Sequence, residues 1–148
     1  MFLSDEVKVN IIELEEQLSE EQQKIYENIV NTTWNLSDYE DDYNKEDLLD
    51  SIVDLSSEEC DLYWIIFEDY TQYADEALKI LSDGDYMIYD NCNNMEDVAY
   101  YVCQECYGDM FNDNNILTRY FDYKAFGRDL EIEGYFIDMN GSFLEIIR

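Results

Sequence analysis

Between residues 5 and 18, Val7, Ile11, Leu14 and Leu18 recur every three or four positions with charged residues between them, a spacing that predicts an amphipathic helix. Ser19 followed three residues later by Gln22 reads as a capping box. It opens a second helix through Ile25, Ile29 and Val30. The loop DYEDD (38–42) leads to a third helix, which Asn44 can cap and to which Leu48, Leu49, Ile52 and Val53 give an inner face. Ser56 with Glu59 repeats the capping box ahead of LYWIIF (62–67), apolar nearly all round and therefore expected at the centre of the core. A further helix from about Gln72 to Leu81 stops before Gly84, which is placed for a left-handed cap.

Past Gly84 the pattern changes. DYMIYD (85–90) is short, β-prone and bounded by polar residues, so it predicts a strand. Asn94 caps a helix through Met95, Val98, Val102 and Cys106 that Gly108 stops, and another helix covers roughly 122–130. GYFID and FLEII flank Asn140-Gly141, a type I′ hairpin signal. Two hairpin strands need a third, and 85–90 supplies it. The fold class expected is α+β, a helical N-terminal half followed by a small three-stranded antiparallel sheet with two helices. Three parts are expected along the chain: a helical segment 1–45, a helical middle domain 46–84 and an α+β domain 85–148.

Composition adds a constraint that the pattern does not carry. With 47% apolar and 16% aromatic residues the chain has the material for a core, so its net charge of −29 sits on something folded. Thirty-seven acids against eight Lys and Arg, with no His, leave few groups for proton transfer near neutral pH. The same surface repels nucleic acid and anionic lipid, so the attractive partners are cations or basic protein clefts, among them the clefts that hold DNA. No 18-residue apolar run and no signal-peptide start occur, and the expected location is the cytoplasm, where Cys60, Cys92, Cys103 and Cys106 stay reduced.

The chemical motifs are weak. Cys103-Gln-Glu-Cys106 has metal or redox spacing, but no second CxxC or His completes four ligands, and Cys106 falls on the Val98/Val102 face, so a packing role is expected. EF-hand numbering from Asp38 places Tyr43 and Leu49 at the positions that need Gly and Glu; from Asp90 it places Met95 and Tyr101 there. No nucleophile elbow, P-loop or dinucleotide fingerprint is present, and neither enzymatic activity, cofactor nor metal is expected.

The layout of charge is more informative. From Asp38 to Glu76 lie Asp38, Glu40, Asp41, Asp42, Glu46, Asp47, Asp50, Asp54, Glu58, Glu59, Asp61, Glu68, Asp69, Asp75 and Glu76, with Lys45 the one cation: net −14 in 39 residues. Solvated helix faces normally carry opposite charges at i,i+4, because like charges there repel. Leaving out the neutralising partners gives up stability, which makes the field itself the useful property. Duplex DNA carries roughly one charge per 1.7 Å, so 29 charges match about 50 Å of duplex. A compact domain of this size is about 40 Å wide, so its charge per unit length resembles that of DNA.

One stretch departs from this layout. Ile116–Leu130 carries Arg119, Lys124 and Arg128 against Asp122 and Asp129, a net +1. Together with NNMEDVAYYVCQE (93–105) and GYFIDMNGSFLEI (134–146), the run ILTRYFDYKAFGRDL (116–130) resembles the C-terminal domain of the ArdA antirestriction proteins, acidic DNA mimics of phages and mobile elements. Residues 46–84 resemble that family's middle domain more loosely, and residues 1–45 depart from its mixed α/β opening. The resemblance implies an antirestriction motif at or near a dimer interface, mapped onto Tyr120, Asp122, Tyr123, Ala125, Gly127, Arg128, Asp129 and Leu130. With Arg119, Phe121, Lys124 and Phe126 beside them, these residues form the locally neutral patch where two acidic protomers repel least, and Arg128 is expected to pair with a carboxylate within or across it.

The expected function is inhibition of a DNA-binding host defence enzyme, most simply a restriction–modification enzyme of a bacterial host. The acids of 38–76, with Glu13, Glu16 and Glu20, would occupy its DNA groove. Two alternatives are an anti-CRISPR mimic that blocks a Cas effector and an acidic regulator that sequesters a basic DNA-binding protein. All three take a protein partner, and none takes nucleic acid or membrane directly.

Overall fold

In the computed structural model, which describes residues 5–32, 42–111 and 116–148, Ile11, Leu14, Ile25, Ile29, Leu48, Leu49 and Ile52 are buried on the inner faces read from the sequence. The chain forms two compact units, Met1–Asp83 and Gly84–Arg148. In the first, α1 (Asp5–Gln17) packs on α3 (Asp42–Val53) through Ile11, Leu14 and Leu49. α2 (Glu20–Thr32) opens on the expected capping box. The Gln22 amide N–H donates to Ser19 Oγ at 3.2 Å and the Ser19 N–H donates to Gln22 Oε1 at 2.9 Å. The Gln22 side chain does more than cap, because its Nε2 also donates to the carbonyls of Val53 at 3.0 Å and Leu55 at 2.8 Å. One buried amide thus ties the start of α2 to the end of α3.

α4 (Ser57–Asp69) begins with the second capping box, Ser56 with Glu59, and carries LYWIIF into the core, where Tyr63 and Ile66 are fully buried. Asn28 Nδ2 donates to the Tyr63 hydroxyl at 2.7 Å, and burial still pushes the Tyr63 pKa up to about 12. α5 (Ala74–Asp83) ends at Gly84, whose φ of +69° is the left-handed cap expected there.

Two boundaries differ from the expectation. α3 starts at Asp42, so Asn44 lies inside its first turn and does not cap it; the aspartates just before are equally good capping types. α5 is displaced two residues toward the C-terminus. Thr71 sets its start, accepting from the Tyr73 N–H at 3.2 Å and donating to Glu76 at 2.9 Å.

The second unit contains β1 (Tyr86–Cys92), α6 (Met95–Cys106), a 3₁₀ turn (Ile116–Tyr120), α7 (Tyr123–Glu133), β2 (Tyr135–Asp138) and β3 (Gly141–Ile146). The sheet is antiparallel in the order β1-β3-β2, with Leu144 of the central strand opposite Ile88 and Ile137. Asn140 and Gly141 both have positive φ, as the two-residue hairpin turn requires. β1 runs two residues further than expected because a bulge between Asp90 and Cys92, with Asn91 at φ +58°, prolongs its pairing. Tyr89, Cys92, Val98 and Phe143 form the core of this unit, with Val102, Leu130 and Phe136 packed around them. Asn94 caps α6, its Oδ1 accepting from the Asp97 N–H at 2.9 Å.

The expected packing face of α6 needs one correction. Val98, Ala99 and Cys103 are buried, whereas Cys106, at the last residue of the helix, is exposed. All four cysteines are free, and burial pushes the thiols of Cys60, Cys92 and Cys103 up, away from reactive thiolate. Among the described residues no helix is long and apolar enough to cross a membrane.

Candidate functional site

Acid placement in the first unit follows from its amphipathic helices. With Leu48, Leu49 and Ile52 of α3 turned inward, Glu46, Asp50 and Asp54 fall four residues apart on the other side, about 6 Å of axial rise between neighbours. Asp47, Asp50 and Asp54 are exposed and Glu46 is half-buried. Glu13, Glu16, Glu20, Glu58, Asp61, Glu68, Asp69 and Asp75 are exposed as well, while Glu59 and Glu76 are half-buried and bond within their own turns. Asp38, Glu40 and Asp41 lie outside the described residues, as does the Asp42 side chain. Among the described residues the buried polar side chains are Gln22 and Thr71; no acid is buried.

Two features make this charge tolerable. Acids occupy the first turns of α2, α4, α5 and α6, where the helix dipole favours them. Elsewhere they simply stay in water. Among the described residues none of the α-helices has a basic residue in its last turn, and Glu46, Asp47, Asp50, Asp54, Glu58, Asp61, Glu68 and Asp75 have no ion-pair partner. Among the described residues no three potential metal ligands gather. The arrangement can exert a field.

The locally neutral segment divides into two faces. Asp122 caps α7, accepting from the Ala125 N–H at 3.0 Å. Phe121 packs edge-on to Phe111, Tyr123 and Phe126 at centroid separations of 4.7, 5.0 and 5.8 Å, and Tyr123 also meets Tyr100. Leu130 joins the sheet-side cluster. Gly127 is where α7 crosses α6: a Cβ there would stand 2.6 Å from the Met95 carbonyl oxygen, so only glycine permits the approach. These residues pack their own unit.

The other face is in solvent. Arg119, Tyr120, Lys124, Arg128 and Asp129 are exposed, Tyr120 by 81%, and Arg128 has no carboxylate partner among the described residues. Sequence reasoning missed Ile132, also 81% exposed, which extends the Lys124/Arg128 row by one turn. The signal was available: 124, 128 and 132 recur at i,i+4, and an isoleucine on a charged row needs a reason.

Comparison with known proteins bears on the whole chain. The family model described as antirestriction protein (ArdA) matches residues 5–145, a span from α1 to the last strand. No curated protein matches the chain. The chain therefore belongs to the ArdA antirestriction family, a family of inhibitors of restriction enzymes rather than of catalysts.

Proposed function

We propose that this protein inhibits its target by DNA mimicry: the acids of the first unit occupy the basic groove of a host restriction–modification enzyme in place of phosphates. The observation that carries this reading is the exposure of Asp47, Asp50, Asp54, Glu58, Asp61, Glu68 and Asp75 with no ion pair among the described residues. Each like-charged i,i+4 pair costs about 0.2–0.5 kcal/mol of helix stability, a cost that a plain soluble surface avoids with interspersed lysines. Docked against Lys and Arg that otherwise hold phosphates, the same carboxylates form charge-assisted pairs and release counterions as DNA does. The protein acts without a cofactor.

In this reading the protein is a homodimer. The row Tyr120, Lys124, Arg128 and Ile132 meets its counterpart on a second copy, where two like-charged protomers repel least. Arg128 finds its carboxylate across that contact.

The test is competition. Increasing inhibitor should displace a duplex oligonucleotide from the purified restriction enzyme, and the Glu46→Gln/Asp50→Asn/Asp54→Asn triple variant should displace it much less. Inhibition with the oligonucleotide still bound would overturn mimicry. Ile132→Asp should halve the mass in sedimentation, and an unchanged mass would overturn the interface.

A further inference from the structure

Among the described residues of the first unit, Val9, Ile12 and Tyr73 are the large apolar side chains left exposed, and Val9 and Ile12 share one helix, 52% and 57% in solvent. They lie three positions apart on α1, about 4.5 Å along its axis. Ile11 and Leu14, only 7% and 8% exposed, make the contact with Leu49 of α3, so the packing of α1 does not use the exposed pair. Helix propensity does not ask for it either, because β-branched side chains form helix less readily than the Glu and Lys around them. No other helix of this unit shows the feature. Every described position of α2–α5 that is exposed carries a polar or charged residue.

The frame around the pair is acidic. Glu13 stands one turn beyond Val9 and Glu16 one turn beyond Ile12, both exposed and without an ion-pair partner among the described residues. Glu6 and Glu15 are exposed on the same helix, against Lys8 alone. A row of phosphates offers nothing equivalent to an apolar pair, so charge mimicry leaves Val9 and Ile12 without a use. An apolar centre within a charged rim is instead the anatomy of a protein–protein contact, where a few desolvated side chains carry most of the affinity. Charge complementarity then describes the surface that fits: an apolar recess bordered by Lys and Arg. A second copy of this chain, equally acidic here, is repelled, as is an anionic lipid surface.

We propose that the outer face of α1 docks on a basic protein surface, with Val9 and Ile12 seated in an apolar recess and Glu13 and Glu16 paired with the Lys and Arg around it. In the reading given under Proposed function that surface belongs to the inhibited enzyme, beside its DNA groove, and this identification rests on that reading. The contact supplies what a phosphate-like field lacks. Such a field attracts every protein that holds DNA, whereas an apolar recess in the right place distinguishes one of them from the rest.

The test measures the affinity of the full chain for the purified restriction enzyme over a salt series, for the unaltered protein, for Val9→Ala/Ile12→Ala and for Glu13→Gln/Glu16→Gln. Alanine is the better helix former, so α1 keeps its fold in the first variant, and circular dichroism checks this. Removing the apolar pair should weaken binding about tenfold or more at every salt concentration and leave the slope of log affinity against log salt unchanged. The glutamine variant should instead make that slope shallower by about two, one for each lost contact. Unchanged affinity in the alanine variant would overturn the docking face, and so would a loss that vanishes at high salt. A lower mass of that variant in sedimentation would also overturn it, by showing that the face closes on a second copy. Affinity is read from binding to the enzyme and not from displacement of DNA. A chain that binds while the duplex stays in place sinks mimicry, and the alanine variant still decides the docking face.

Discussion

The units Met1–Asp83 and Gly84–Arg148 handle charge in opposite ways. The first has 24 acids and four lysines, net −20; the second has 13 acids and four basic residues, net −9, and three of those four cations fall within 116–130. In the first unit the acids stand on helix backs whose inner faces carry the stability, so in the proposed mechanism each is replaceable and their sum matters. In the second, one position at least is irreplaceable, because Gly127 admits no side chain. A collective property tolerates drift of its parts, whereas a fitted one does not.

The largest expected effect tests the collective half. If six to ten carboxylates replace phosphates, affinity for the enzyme falls by roughly 10³–10⁵ between about 50 and 200 mM salt. A titration followed by anisotropy measures this, and a flat response would remove the distinction between the units. Next, Gln22→Leu leaves the Val53 and Leu55 carbonyls unanswered and should destabilise the first unit by about 2–4 kcal/mol. Trp64, half-buried against Tyr63, reports on that unit by fluorescence during denaturation. Gly127→Ala should cost the second unit about 1–3 kcal/mol, since a Cβ 2.6 Å from a backbone oxygen forces α7 off α6. Hydrogen exchange in α6 and α7 should accelerate, and unchanged protection there would show that the crossing is not tight.

Alkaline pH probes the first unit through Tyr63. The folded pKa of Tyr63, raised to about 12, lies above the ordinary tyrosine value of 10.0, so its contribution to stability is complete below pH 10 and is lost as pH rises toward 12. Tyr63→Phe should flatten the fluorescence-detected loss in that window. The smallest effect is the most diagnostic of drift: Asp50→Asn relieves repulsion from Glu46 and Asp54, should stabilise the first unit by a few tenths of a kcal/mol and should barely change inhibition. Abolished inhibition would mark Asp50 as a fitted residue.

Most of the fold was legible because its boundaries are written in short-range chemistry. Ser19/Gln22, Ser56/Glu59 and Asn94 announce three helix starts, and Asn140-Gly141 announces the hairpin. The start of α3 was not, because several neighbouring residues are equally good caps. Exposure of the acids followed from the inner faces of the same helices. The division of the neutral segment did not follow, since it depends on Phe111 lying against Phe121, a contact between residues ten apart that no periodicity encodes. The role of Gly127 belongs to the same class of tertiary fact.

Gln22 has one last consequence. In a molecule with 37 acidic side chains, the joint between α2 and the end of α3 is a neutral amide, blind to both pH and salt. Ions can gather on or leave the helix backs while that joint stays fixed. In the proposed docking the charge array thus meets its partner already in shape, and little ordering entropy is lost.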